Sequence, residues 1–408
     1  MKRNLVVIGN GMAGIRTVEE LLALAPETYA ITVVSSEPVA AYNRIMLSPV
    51  LAGEKSFDDI VTHPADWYAA HGVTLLAGST VTDVDRAARQ VVLDDGRQLP
   101  YDRLVLATGS LPFVIPVPGH QHPDVVTFRD IHDVERLLSA CRDKRRVAVV
   151  GGGLLGLEAA NGLLKQGMEV TVIHDATWLL NRQLDVEAAT LLRETLAARG
   201  MGFCLGALTA EIVHRADGTG LEKLVFKDGS ELPVDLVVMA VGIRPNVALA
   251  KKIGLQVDKA ILVNDTLQTF DPCIYAVGEC VQHRGALFGL VAPLFEQAAV
   301  CANHLAERGH SRFVQRSTAT TLKVSGVNLY SAGDFSDPEA ESLVLRDPAG
   351  GVYKRLLVKN DRVIGSVLYG DTNDGVWYFD LIREQRNVAS MRESLLFGRS
   401  EHEQAAPC

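Results

Sequence analysis

The chain has 408 residues, enough for two or three domains with full cores, and 48% hydrophobic against 22% charged residues is an ordinary globular balance. A net charge of −9, from 40 basic and 49 acidic residues with no basic stripe, argues against nucleic acid as a partner, and the lack of any run of about 18 apolar residues argues against a transmembrane helix. Six scattered cysteines without a C-x-x-C pair argue against a metal ribbon or a thioredoxin-like site and fit a reduced, cytoplasmic setting.

Met1-Lys2-Arg3-Asn4 runs straight into an apolar stretch, which leaves no room for a signal peptide before it. That stretch, Leu5-Val6-Val7-Ile8, is followed by Gly9-Asn10-Gly11-Met12-Ala13-Gly14. A strand, a G-x-G-x-x-G loop and a helix form the dinucleotide fingerprint. Its first glycine permits the tight turn, the second lets backbone approach a pyrophosphate, and the third lets helix and strand pack. The helix N-terminus offers free N–H groups to the phosphates. Gly9, Gly11, Met12, Ala13 and Gly14 are therefore expected at a cofactor. The helix continues to Leu24 before Pro26, and the next strand is Ile31-Thr32-Val33-Val34. Glu37 lies just past it, about 20 residues from the loop, where an acid accepts hydrogen bonds from a ribose diol.

Arg44 is a candidate for the cofactor pyrophosphate, with a solvent-facing arginine as the alternative. Residues 73–106 alternate like strands around a hairpin turn at Asp94-Asp95-Gly96. They end in Leu104-Val105-Leu106-Ala107-Thr108-Gly109, where Thr108 and Gly109 are expected to give a second backbone contact to the same cofactor. Pro112, Pro116 and Pro118-Gly119 then punctuate a domain crossing.

A second fingerprint follows Val147-Ala148-Val149-Val150: Gly151-Gly152-Gly153-Leu154-Leu155-Gly156. One such loop is weak evidence. Two, each after a strand, imply two dinucleotides, FAD and NAD(P)H, with Gly151, Gly153, Leu154, Leu155 and Gly156 at the second. Glu158 either answers the helix dipole or contacts the nicotinamide ring or ribose. The next strand ends at His174-Asp175. The ribose-binding acid is normally at the position of His174, so Asp175 is the substitute candidate. No arginine lies between Glu158 and Arg182 to meet a 2′-phosphate, which favours NADH over NADPH. After a long helix over 185–199, a β-rich stretch ends at Val241-Gly242, and Ile243-Arg244-Pro245-Asn246 turns the chain back. The strand Ile274-Tyr275-Ala276 leads to Gly278-Glu279, a carboxylate set to hydrogen-bond the ribityl chain of FAD. Residues 316–408 change character, with a strand from Thr321 and a hairpin around Lys359-Asn360-Asp361-Arg362. A helix-like tail follows from Asp374 to Phe397, and a disordered end from Glu401.

The two fingerprints, the Ala107-Thr108-Gly109 turn, the Gly242-Ile243-Arg244-Pro245-Asn246 turn and the closing Ala276-Val277-Gly278-Glu279 come in an order that resembles the FAD-dependent pyridine nucleotide oxidoreductases. These are flavoproteins with two dinucleotide-binding domains, and the resemblance covers nearly the whole chain. Tyr42-Asn43-Arg44, Leu47-Ser48, Arg182-Gln183-Leu184-Asp185, Glu279-Cys280 and residues 391–398 are similar to three groups within that family. These are the N-terminal flavin part of NAD(P)H-dependent nitrite reductase large subunits, the electron-transfer subunits of assimilatory nitrate reductases, and the rubredoxin reductases.

The resemblance implies an α/β fold with two Rossmann-like domains and a small α+β interface domain. FAD would be held by 1–112 and 243–315, NAD(P)H by 113–242, and the interface domain would be 316–408. Ser48, Gly242, Arg244, Gly278 and Glu279 fall at the cofactor sites, no metal is implied, and the flavin carries the chemistry with Glu158 as the candidate side chain beside it. NADH would reduce FAD, which passes electrons to a redox protein: a nitrate or nitrite reductase component, or a small iron protein such as rubredoxin or ferredoxin. An NADH oxidase and an NADH-sensing switch remain alternatives, and the oligomeric state stays open.

Two departures bear on mechanism. Flavin disulfide reductases carry a redox cysteine near the segment 41–53, whereas the first cysteine here is Cys141, and Pro49 stands where related ferredoxin reductases carry a lysine. The iron–sulfur and sirohaem domains of full nitrite reductases, with their clustered cysteines, have no counterpart in this sequence.

Overall fold

The structure is a computed structural model and describes residues 2–315, 319–324 and 326–399. Leu5, Val6, Val7 and Ile8 are all buried, because a parallel strand covered on both faces is apolar throughout rather than alternating. They belong to β1 (Arg3–Ile8), which leads into α1 (Met12–Leu24) and β2 (Tyr29–Ser35). A short helix α2 (Leu47–Leu51) and strands β3 (Val73–Ala77) and β4 (Arg103–Leu106) follow. The next unit contains β5 (Val125–Thr127), α3 (Ile131–Ala140), β6 (Arg146–Val150) and α4 (Leu154–Lys165). It continues through β7 (Glu169–His174), α5 (Val186–Ala197), β8 (Gly202–Leu205) and β9 (Leu236–Met239). Then come β10 (Ile274–Ala276) and α6 (Val291–Leu305).

The first sheet has the order β10-β4-β1-β2-β3 and the second β5-β9-β6-β7-β8, and every pairing in both is parallel. In each, the strand that feeds a glycine loop is central, with its successor on one side and a later strand on the other. That reversal of strand order opens a crevice at the carboxyl ends of the strands, which is where open α/β sheets take ligands. β10 joins the first sheet although the whole second sheet precedes it in the chain. The two crossings lie side by side, Ser110–Pro112 pairing antiparallel with Ile243–Pro245.

The last part of the chain forms an antiparallel sheet of β11 (Thr320–Val324), β12 (Val327–Gly333), β13 (Glu341–Asp347), β14 (Val352–Lys359) and β15 (Arg362–Tyr369), in the order β11-β12-β15-β14-β13. Asn360 and Asp361 both take positive φ, 53° and 56°, as a two-residue hairpin turn requires. Helix α7 (Gly375–Glu384) packs on β12 and β15. It is shorter than the helix expected over 374–397. Gln385 adopts a left-handed conformation at φ 52°, and the Val388 N–H then donates to the Asp361 carbonyl at 2.8 Å, so the chain folds back onto the hairpin. Among the described residues, short 3₁₀ turns follow at Ala389–Met391 and Leu395–Phe397. The end expected to be disordered from Glu401 lies outside the described residues.

Candidate functional site

The two glycine loops have the same construction. Gly9 has φ 112° and Gly151 φ 127°, and a Cβ on either would fall 2.2 Å from a carbonyl oxygen, that of Ala107 or of Ala240. A Cβ on Gly14 would meet the Gly9 carbonyl oxygen at 2.2 Å, and one on Gly156 the Gly151 carbonyl oxygen at 1.9 Å, so each helix lies directly on the strand before it. The middle glycines differ from these. Gly11 has only the Arg44 Nε at 4.0 Å, and Gly153 has nothing within 4 Å. Both are extended N-cap residues with no side-chain cap. The first-turn N–H groups at Met12, Ala13, Leu154 and Leu155 therefore head two uncapped helix N-termini, the arrangement that attracts phosphate. Hydrogen bonds repeat as well: Gly9 N–H to Val34 and Gly151 N–H to Ile173, both at 2.8 Å.

Around the first loop the chain assembles a charged network. Glu37, past the end of β2, is ion-paired with Arg44 and accepts from the Tyr42 hydroxyl at 2.7 Å. Arg44 also donates to the Arg129 carbonyl at 3.2 Å. Arg129 itself pairs with Glu279, which also accepts from Ser110 Oγ at 2.5 Å. Thus the ends of β2, β4, β5 and β10 converge through two arginines and two glutamates. Thr108 Oγ1 donates to the Asn246 carbonyl at 2.7 Å, and the Gly278 N–H donates to Gln297 Oε1 at 2.8 Å. Gly109, with φ 63°, has open space where a Cβ would stand.

Three buried donors here have no partner: Asn10 Nδ2, Arg129 Nε and Gln297 Nε2. Buried polar groups are satisfied as a rule, so an acceptor-rich ligand is what these atoms lack. An open glycine backbone, an uncapped helix, two arginines and orphan donors fit the pyrophosphate and polyol of FAD. Asn10, Ser110, Arg129 and Gln297 were not among the candidates drawn from the sequence. The signal for Arg129 was an Arg-Asp pair at the end of a short buried run, Val125-Val126-Thr127-Phe128.

The helix that follows the second loop packs on α2 of the first unit, with Gln166 Nε2 donating to the Leu51 carbonyl at 2.9 Å. Ser48 Oγ, on α2, donates to Glu158 Oε2, on α4, at 2.7 Å. Burial pushes the Glu158 carboxyl above its ordinary value, and the Ser48 hydroxyl pulls it back in part. Glu158 is thus directed at α2 rather than used as a helix cap. His174 is mostly buried with Nδ1 3.1 Å from Asp175 Oδ1, and Asp175 is exposed. Gly242, with φ 115°, has open space beside it, and the Arg244 guanidinium lies 3.9 Å from the centre of the Phe113 ring, over the two crossing strands.

The cysteines at 141, 204, 273, 280 and 301 are all free. Cys280, next to Glu279, is fully buried, and burial raises its thiol pKa. Among the described residues no group of three metal-ligating side chains comes together, and no helix is long and apolar enough to cross a membrane.

Two parallel sheets, each with an open glycine loop at the head of an uncapped helix, define a protein that handles two dinucleotides. The chain belongs to the pyridine nucleotide-disulphide oxidoreductase family, whose pattern matches residues 3–304, and residues 319–386 match the rubredoxin NAD⁺ reductase C-terminal domain. It is accordingly an FAD- and NAD(P)H-dependent oxidoreductase. It is 45% identical over 389 residues to a nitrite reductase [NAD(P)H] of Bacillus subtilis, covering 95% of this chain and 48% of that one. It is 42% identical over 396 residues to the assimilatory nitrate reductase electron transfer subunit of the same organism, covering 97% of this chain and 51% of that one. The chain therefore spans about half the length of these relatives. In structure it resembles the reductase of the covalent putidaredoxin reductase–putidaredoxin complex, with a TM-score of 0.85, 28% identity, and 98% of this chain and 96% of that one covered.

Proposed function

We propose that this chain passes electrons from NADH through FAD to a redox protein of nitrate or nitrite assimilation, in the cytoplasm. The observation that carries the reading is the pair of equivalent open loops at Gly11 and Gly153, with Ser48 on α2 hydrogen-bonded to Glu158 on the helix that follows the second loop. We assign FAD to residues 1–112 and 243–315, NAD(P)H to 113–242, and the interface module to 316–408. The return of β10 to the first sheet supports that division.

In this reading Gly9, Gly11, Met12, Ala13 and Gly14 bring backbone N–H groups to the FAD pyrophosphate. Arg44 and Arg129 balance its charge, and Glu37 takes the adenosine ribose once Arg44 turns to phosphate. Thr108, Gly109, Gly278 and Glu279 line the polyol, and Ser48 stands at the ring end. Gly151, Gly153, Leu154, Leu155 and Gly156 receive the nicotinamide coenzyme, with His174 and Asp175 at its ribose and Gly242 and Arg244 at the crossing. Glu158 faces the nicotinamide. When bound, the flavin accepts hydride from the nicotinamide and releases electrons to the acceptor. The protein's share is alignment and exclusion of water, and the described cysteines, at 141, 204, 273, 280 and 301, are all unpaired thiols.

The relatives in nitrate and nitrite reduction support the acceptor class. A small iron protein as acceptor is the second reading, supported by the match of residues 319–386 to a rubredoxin reductase domain and by the likeness to a reductase caught with putidaredoxin. Anaerobic titration of the purified chain with NADH is expected to bleach one flavin per chain. Reoxidation by a nitrate or nitrite reductase component rather than by rubredoxin then separates the two readings. A colourless chain that will not take up FAD overturns both.

A further inference from the structure

Arg182-Gln183-Leu184-Asp185 closes a segment, 175–185, that leaves the end of β7 and runs to the first turn of α5. Leu179, Leu180 and Leu184 of this segment are buried in the same core as Tyr353 of β14. Leu180 takes a left-handed conformation, φ 50°, which a residue with a large side chain holds only where its surroundings fix it. Its N–H donates to the Gly152 carbonyl at 3.0 Å, and its carbonyl accepts from the Gln183 and Leu184 N–H groups at 2.7 and 2.8 Å. Trp178 Nε1 donates to the Leu184 carbonyl at 3.3 Å. Asp185 ends the segment, and its Oδ2 accepts from the Tyr353 hydroxyl at 2.7 Å and from Arg355 at 3.0 Å. A continuous run of contacts thus joins the last module to the middle of the second glycine loop.

We propose that the last module pins the second glycine loop for the pyridine nucleotide through this segment, with Asp185, Tyr353 and Arg355 as positioning residues. The inference rests on the assignment of that loop to the pyridine nucleotide. The two loops differ at the residue between their first and second glycines. In the first it is Asn10, buried, whose Oδ1 accepts from the Tyr68 hydroxyl at 2.8 Å, so a side chain of the loop anchors it. In the second it is Gly152, where a side chain has no room, because a Cβ would fall 2.7 Å from the His174 ring. Three successive glycines have the most backbone freedom to lose when a ligand fixes them. The bond from Leu180 restrains the middle one in advance, and a loop already in its bound shape loses less of the binding free energy to ordering. Leu180 keeps its left-handed turn while both ends of the segment are held, by β7 at one end and at Asp185 by the last module at the other. Loosening Asp185 lets Leu180 relax, and its N–H then leaves Gly152.

The test is calorimetric titration of the full FAD-bearing chain with NAD⁺, in the parent and in two variants that each lose one hydroxyl contact between α5 and the last sheet. Tyr353→Phe frees Asp185, whereas Thr195→Val breaks the contact of Thr195 with the Tyr369 hydroxyl, 2.7 Å, farther along the same helix. Kd for NAD⁺ is expected to rise about tenfold in Tyr353→Phe, the scale of one buried hydrogen bond, with the ratio of flavin to protein unchanged. In Thr195→Val it is expected to stay at the parent's value. Arg355→Met, which leaves the Tyr353 ring and hydroxyl in place, is expected to raise Kd in the same direction. Amide exchange followed by mass spectrometry gives a readout independent of binding: peptides spanning 178–184 are expected to exchange faster in Tyr353→Phe than in Thr195→Val. An unchanged Kd in both Tyr353→Phe and Arg355→Met overturns the proposal. So does an equal rise in Thr195→Val, which would mark a general loosening of the helix, or equal exchange of 178–184 in the two hydroxyl variants. Binding of NAD⁺ that none of these variants alters leaves the assignment of the loop intact and removes only the pin. A parent that does not bind NAD⁺ removes the assignment as well.

Discussion

Within one loop, two glycines three residues apart serve different ends, and alanine separates them. A methyl group on Gly14 would press on the Gly9 carbonyl oxygen, so Gly14→Ala is expected to lose about 1–3 kcal/mol of stability, read as a lower Tm. A methyl group on Gly11 meets open space, so Gly11→Ala is expected to keep its Tm and lose flavin, read as the ratio of flavin to protein in the purified chain. By the same logic Gly153→Ala keeps flavin and loses NAD⁺. Glu158 gives a pH signature. Burial raises its carboxyl above the ordinary 4.5, offset in part by Ser48, so the folded state holds the proton more tightly than the unfolded one. Stability from this group is then present at low pH and declines as the pH rises from the unfolded value through the folded one. Glu158→Gln, neutral throughout and still able to accept from Ser48, is expected to melt higher than the parent near about pH 8 and no higher near about pH 4, followed by circular dichroism.

Helix α5 shows what an element can reveal that its sequence does not. Asp185 caps it by accepting from the Ala188 N–H at 3.0 Å, and the same carboxylate accepts from Tyr353 at 2.7 Å and Arg355 at 3.0 Å, both on β14. Asp185→Ala removes the cap and strands two donors, an expected loss of about 2–4 kcal/mol. Asp185→Asn, which still caps, should lose less, and urea melts of both compare them. The helix itself was legible from its apolar spacing, but the grip of the last module on its first turn was not, because β14 lies far along the chain. The central parallel strands β1 and β6 were legible for the opposite reason: covered on both faces, they carry the apolar runs Leu5-Val6-Val7-Ile8 and Val147-Ala148-Val149-Val150, each ending at a glycine. Short or unmarked elements escaped. Helix α2 has five residues, and α6 has Leu290 as its N-cap, which offers no capping side chain. β5, which delivers Arg129 to the site, is three residues long beyond a proline-rich crossing. The tail was read as one helix because nothing but Gln385, a residue that rarely takes positive φ, marks its break.

Across the whole molecule, burial is divided between two large cores that do not follow chain order. One contains β1, β2, β4, β10 and α6 residues, such as Val7, Val33, Val105, Tyr275 and Cys301. The other joins β6, α4 and α5 to the last sheet through Val149, Leu163, Leu192, Tyr353 and Tyr369, and it also takes in Leu47, Val50 and Leu51 of α2. Separate cores imply separate cooperative units, so calorimetry of the ligand-free chain is expected to resolve two transitions. A ligand at about 100 times its Kd adds about 2.7 kcal/mol to the unit that holds it. In units of this size that is a rise of roughly 5–10 °C. FAD should raise the transition of the first core and NAD⁺ that of the second. Since α2 is sequence-contiguous with the FAD side but buried in the second core, Leu51→Ala should lower the second transition while leaving the first near its place. A single transition moved equally by both ligands would show instead that α2 and the paired crossing strands fuse the two cores into one.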